Sequence, residues 1–127
     1  MGGCVMSQLN VDTIKNNAGY ERFPCTAWVN FNGTGTIAIR DNGNVSSLTD
    51  NATGDYTLNF ATAFVNTNYS TNGEWALTFN TASKCIVSQL SYMTTSSFRF
   101  KCVQNTASTD SEKDGEVVSV QIFGGLS

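Results

Sequence analysis

The stretch DYTLNF at residues 55–60 alternates polar and apolar side chains at every position. Successive side chains of a β-strand point to opposite faces of a sheet. The alternation therefore predicts a strand that turns Tyr56, Leu58 and Phe60 inward and the residues between them outward. The preceding NATG at residues 51–54 is rich in residues that favour turns. Together these features are typical of an antiparallel sheet with one buried face.

The same period of two recurs in short segments from Ala27 onward, and Gly, Asn and Asp separate the segments. The NG pair at 32–33 predicts a hairpin between strands at 27–31 and 34–40. A second turn is expected at 41–44, and a polar loop at 104–115. Seven to eight strands without helical periodicity predict an all-β fold, an antiparallel, jelly-roll-like β-sandwich over residues 27–127.

Large aromatic side chains bury roughly 150–250 Å² each, so we expect them to form much of the sandwich core. The last strand adds Val118, Val120 and Ile122 on its inward face. We predict seven core rings: Trp28, Tyr56, Phe60, Trp75, Phe79, Phe98 and Phe100.

Residues 1–26 differ from the rest of the chain. Leu9, Val11 and Ile14 are apolar, but the run NNAG at 16–19 interrupts any regular element that follows them. Terminal segments of this kind usually become ordered by docking. We predict an extended N-terminal arm that binds a neighbouring subunit or another protein through these three side chains.

The charge pattern disfavours two classes of partner. Seven basic and ten acidic residues give a net charge of −3, and no run of Lys or Arg occurs. Nucleic acids and anionic lipids are bound mainly by clustered cations. No apolar stretch approaches the ~20 residues that cross a bilayer, and the first residues lack the pattern of a secretory signal. We expect a protein made in the cytoplasm, without nucleic-acid binding or membrane insertion.

The sequence offers little catalytic or metal chemistry. It contains no His, and its acidic residues lie mostly at predicted turns. Four cysteines are widely spaced without a CxxC pair, which disfavours a zinc site. We predict no catalytic residue, no cofactor and no metal. Cys85 and Cys102 lie in alternating segments, where they act either as small hydrophobic residues or as a disulfide pair.

Three residues are candidates for ligand recognition. An aromatic ring can stack on the face of a sugar while neighbouring polar groups form hydrogen bonds with the hydroxyls of that sugar. Tyr69 lies in a loop at 66–70, and Tyr92 in a loop at 91–97 with Arg99 just beyond it. Each tyrosine has a second interpretation, as a buried or subunit-contact residue.

The run AWVNFNGTGTIAIRDNGNVSSLTDNATGDYTLNFATAF, at 27–64, resembles the C-terminal tip module of tail-fibre-like proteins from tailed bacteriophages of marine and cyanobacterial hosts. The segment at 9–15 looks like the lead-in to such modules, and 118–124 like their closing strand. The chain departs from the pattern at 64–67, where family members have a Met-Pro-Asp-like turn. It also has 26 residues where they have a long shaft.

The resemblance implies a virion protein, a homotrimer, and an adhesin that touches host surface glycan or protein. The alternative is a capsid decoration protein that binds coat subunits and stabilises the shell, and the short segment before the module favours it. A polysaccharide-degrading enzyme is a third, weaker hypothesis. The expected partners are further copies of the chain and a fibre, tail or major capsid protein.

Overall fold

The computed structural model describes residues 15, 17–19, 24–76, 84–106 and 109–127. The predicted arm residues Leu9, Val11 and Ile14 and the predicted core residue Phe79 lie outside this part of the chain. The described residues form nine strands: β1 (Ala27–Asn32), β2 (Ala38–Gly43), β3 (Val45–Ala52), β4 (Asp55–Phe60), β5 (Ser70–Ala76), β6 (Lys84–Met93), β7 (Ser97–Thr106), β8 (Thr109–Glu112) and β9 (Val117–Phe123).

The strands form two antiparallel sheets of four and five strands, so the predicted all-β sandwich is confirmed. The first sheet has the order β2-β1-β9-β5 and the second has the order β3-β4-β7-β6. Strand β8 pairs with the end of β7, beyond the segment that pairs with β4. Along one side the sheets are joined by two residue pairs between β5 and β6. Along the other side Asn44, with a φ of 55°, is the single residue between β2 and β3.

The core lies between the sheets and follows the predicted alternation. Tyr56, Leu58 and Phe60 of β4 are buried, as are the inward residues of β7 and β9. The rings meet mostly edge to face, a favourable arrangement for aromatic quadrupoles. For example, the centroids of Phe31 and Tyr56 lie 5.0 Å apart with an interplanar angle of 76°.

The prediction that Trp28 is a core ring is wrong. Trp28 is 36% exposed, whereas its neighbours Ala27 and Val29 and the next inward residue, Phe31, are buried. In a strand of period two, Trp28 must face away from the core if Val29 faces into it. The large size of the Trp28 side chain suggested the inward face. The alternation of inward and outward residues along β1 instead places it on the outer face.

Two predicted boundaries also differ from the structure. Strand β2 begins at Ala38 and includes the first three residues of the turn expected at 41–44, since Trp28 pairs with Gly43 across the β1–β2 ladder. A β-bulge between Asn30 and Phe31 shifts this register. The expected polar loop contains β8, whose residues pair with Val103–Thr106 of β7. The extra hairpin brings the number of strands to nine.

One buried hydroxyl fastens the two sheets at one end of the sandwich. The Tyr56 hydroxyl, on β4, lies 2.8 Å from Asp114 Oδ1 and 3.1 Å from the carbonyl oxygen of Gly33, just after β1. Asp114 Oδ1 also accepts the N–H of Gly54 at 2.7 Å. Burial, followed by the hydrogen bond with Asp114, raises the pKa of Tyr56 above its ordinary value. The hydroxyl therefore stays protonated and connects the β8–β9 loop to both sheets.

We expect Tyr56→Phe to lower the free energy of unfolding by about 1–2 kcal/mol, because the Gly33 carbonyl and Asp114 lose a buried partner. The measurement is urea unfolding followed by fluorescence. Tyr92→Phe is the matched control, since it removes a hydroxyl from a residue that is 45% exposed. Equal losses in the two variants would contradict the role given to Tyr56.

Candidate functional site

The structure brings two of the three predicted ligand-binding residues together, Tyr92 and Arg99, and buries the third, Tyr69. Its ring packs against Phe60, Phe64 and Phe98. Its hydroxyl lies 3.0 Å from the carbonyl oxygen of Thr94 and 3.1 Å from that of Ser97. Burial raises the pKa of Tyr69 to about 12. Of the two interpretations, the buried one holds here: Tyr69 fastens the β6–β7 turn and has no open ring face for a sugar.

Tyr92 and Arg99 lie together on the outer face of the second sheet. The guanidinium carbon of Arg99 is 4.6 Å from the centroid of the Tyr92 ring, within the range of a cation–π contact. Tyr92 lies near the end of β6 and not in the loop predicted at 91–97, because β6 continues to Met93. Arg99 lies in β7, so the β6–β7 hairpin brings the two side chains together. The pair presents a ring and a planar cation to solvent.

Asp55 holds the Arg99 side chain in place. The guanidinium donates from Nε to Oδ1 at 2.8 Å and from Nη2 to Oδ2 at 2.7 Å, which is the bidentate geometry of a strong charge-assisted pair. Asn51 adds a donor to Oδ1 at 3.3 Å. Asp55 is only 3% exposed. The hydrogen bond from Arg99 holds the pKa of this carboxyl below its usual value, against the effect of burial.

Lys101 and Glu112 extend the pair into a line of alternating charge. The Lys101 ammonium lies 4.0 Å from Asp55 Oδ2 and donates to Glu112 Oε1 on β8. We call Tyr92, Arg99, Asp55, Lys101 and Glu112 the charged row. Two cations and two carboxylates balance within it, so the row offers hydrogen-bond donors and acceptors without a net charge.

Sequence reasoning missed the part played by Asp55. Alternation placed it on the outer face, but its partner depends on the register between β4 and β7. In that register Asp55 is opposite Lys101, and Thr57 is opposite Arg99, so Arg99 reaches Asp55 diagonally. The sequence contains no local signal of this register.

The charged row suits recognition better than proton transfer. A carboxylate with a lowered pKa in a bidentate pair is ionised at neutral pH and is a poor general acid. A guanidinium has five N–H donors, of which Asp55 uses two. A ring beside these donors can contact the apolar face and the hydroxyls of a polar ligand.

The remaining chemistry of the described residues is sparse. Cys102 is free and buried, and the register sets it opposite Ile86, so its interpretation as a small hydrophobic residue holds. Burial raises the pKa of Cys102 to about 12, which keeps the thiol protonated. Within the part of the chain that the structure describes, no group of acidic, Cys or His residues could hold a metal. In that same part, no helix is long and apolar enough to cross a membrane.

No family model matches the chain, and no significant match was found among curated proteins or solved structures. The likeness of residues 27–64 to fibre-tip modules therefore rests on the sequence alone.

We expect stability to depend on pH through Asp55. The pKa of Asp55 is lower in the folded protein than in the unfolded chain, where it is about 3.9. The stability that ionised Asp55 contributes is therefore complete above the unfolded pKa and is lost as the pH falls through the folded pKa. Asp55→Asn should therefore be less stable than the natural protein at pH 7, and the difference should shrink below about pH 4.

The measurement is the urea midpoint between pH 7 and pH 2. Asp41→Asn, at an exposed position in β2, is the matched control and should follow the natural protein throughout. If the urea midpoints of Asp55→Asn and the natural protein differ by the same amount over this whole range, Asp55 is not the source of the pH dependence of stability.

Proposed function

We propose that this chain is a non-enzymatic structural module of a tailed-bacteriophage particle and acts as a fibre-tip-like adhesin at the host surface. The phage assignment rests on the resemblance at 27–64. The observation that favours an adhesin is the charged row, in which a buried carboxylate orients a half-buried arginine against an exposed tyrosine. Host glycan and host protein both offer polar groups that fit such a surface.

The run at 27–64 that resembles fibre-tip modules supports an architecture shared with those modules more than a contact surface shared with them. It builds β1 to β4, two strands of each sheet, and ends at Phe64, which is buried against Phe60. Tyr92 and Arg99 lie outside it. We infer that the run preserves the scaffold while the β6–β7 hairpin supplies contacts to the host.

We further propose that the chain works as a homotrimer. Val65 is 57% exposed, and Leu126 is exposed beside it, since Leu126 pairs with Phe64 and the N–H of Val65 donates to the Gly125 carbonyl at 2.9 Å. Two adjacent exposed apolar side chains suit a subunit contact. A trimer would raise avidity without requiring strong single sites.

Light scattering of the purified chain at micromolar concentration should give the mass of a trimer. Val65→Asp should shift the population toward monomer, because a charge would be buried in the contact. Thr36→Asp places the same charge at an exposed position in the β1–β2 loop and should leave the mass unchanged. A stable monomer of the natural chain would contradict the trimer.

The position of the chain on the particle tests the proposed function. Antibody labelling in electron microscopy should place it at the tips of tail fibres, in tens of copies per particle rather than hundreds. Hundreds of copies at capsid positions would instead support the capsid decoration protein. The arm residues Leu9, Val11 and Ile14 stay a prediction for the contact with a neighbouring virion protein.

A further inference from the structure

The outer face of the first sheet, on the side of the sandwich opposite to the charged row, carries a second exposed ring, here an indole among amides. One cross-strand row runs over all four strands: Gly43 on β2, Trp28 on β1, Gln121 on β9 and Asn72 on β5. We call this row, together with Asn30, the Trp28 face. Strands lie about 4.8 Å apart, so the row is roughly 14 Å long, enough for a short oligosaccharide.

Gly43 lets the indole of Trp28 lie against the sheet. A Cβ atom at residue 43 would come 2.8 Å from Trp28 Cδ1 and 3.1 Å from Cε2, and closer still to Nε1. The pyrrole side of the indole therefore covers the bare backbone of β2. Because Trp28 is nevertheless 36% exposed, part of the ring system is open to solvent as a flat platform.

Amides beside the ring are held in place by neighbouring side chains. Gln121 donates from Nε2 to Ser119 Oγ at 2.9 Å, and Asn72 Nδ2 lies 3.5 Å from Gln121 Oε1. Asn30 Oδ1 accepts a hydrogen bond from Arg40 at 3.3 Å. Each amide has both donors and acceptors, as a sugar hydroxyl has. The row therefore pairs a stacking surface with oriented hydrogen-bonding groups.

The charges around the platform indicate which sugars suit it. The next cross-strand row places Asp41 opposite Asn30, and Glu74 opposite Ser119. Arg40 is the basic neighbour that contacts Asn30. With two carboxylates and one guanidinium at its border, the platform repels anionic sugars more than it attracts them.

We propose that the Trp28 face binds neutral polysaccharide, with the indole stacked on the apolar face of a hexose and the amides hydrogen-bonded to its hydroxyls. This inference rests on the proposed adhesin function and adds to it a ligand class and a second contact surface. We expect one copy of the site to bind the polysaccharide weakly, and several copies in a multimer to bind it more tightly through avidity.

The chain has two tryptophans, which allows a direct optical test. Trp75 is 1% exposed, so a soluble quencher such as acrylamide should act mainly on Trp28. Neutral hexose oligosaccharides should protect the full-length chain from quenching when tryptophan is excited selectively. Trp28→Phe should abolish the sugar-dependent change, because only Trp75 then contributes to the signal. Oligosaccharides that contain sialic or uronic acid should protect much less.

Binding to immobilised neutral oligosaccharides gives an independent measurement. We expect Trp28→Ala to weaken binding about tenfold or more, and Trp28→Phe to restore part of it, because a phenyl ring still stacks. Thr36→Ala, at an exposed loop position away from the row, should bind as the natural chain does. Circular dichroism and the urea midpoint check that each variant is folded.

The inference would be overturned by unchanged quenching at saturating neutral sugar, by Trp28→Ala that binds as well as the natural chain, or by stronger protection with acidic sugars. Protection that rises with protein concentration in the absence of sugar would also overturn it, because a second copy would then occupy the face.

If the natural chain and Trp28→Ala attach equally well to host cells, the proposed role of the Trp28 face is wrong while the adhesin function stands. If the natural chain does not attach to host cells, the adhesin function fails, whatever the sugar measurements give.

Discussion

The hydrogen bond between Tyr56 and Asp114 is the constraint around which the rest of the sandwich is arranged. A hydroxyl inside an aromatic core must have a partner, and this one finds it on the loop that connects the two sheets. The bond fixes Tyr56 inward, so the period of two turns Asp55 outward toward Arg99. A slip of one residue would reverse both positions. One register thus determines the core at Tyr56 and the candidate site at Asp55.

Much of the fold was predictable because alternation is a local signal. It placed Tyr56, Phe98 and Phe100 in the core correctly. It failed at Trp28, where ring size was weighed above the phase of β1. The features that could not be predicted depend on pairing between distant strands. The bidentate Asp55–Arg99 contact needs the register of β4 against β7, and β8 forms only because the end of β7 offers it an edge.

The two outer faces of the sandwich have different characters. The charged row joins a tyrosine to paired ions on the second sheet, whereas the Trp28 face joins an indole to amides on the first. Both place a ring on regular strands, where the backbone ladder limits motion and keeps the polar groups oriented. The two proposed contact surfaces lie on opposite sides of the sandwich, which suits the proposed role of an adhesin that makes several weak contacts at once.

If the chain attaches to the host surface as we propose, the purified protein competes with the phage particle for adsorption. Particles that contain this chain are mixed with host cells in the presence of increasing amounts of the purified full-length protein. Adsorption should slow as the concentration of added protein rises, while adsorption of an unrelated phage to the same cells should not change. Adsorption that stays at its original rate at every concentration, up to the solubility limit of the protein, would show that the chain does not attach to the host surface.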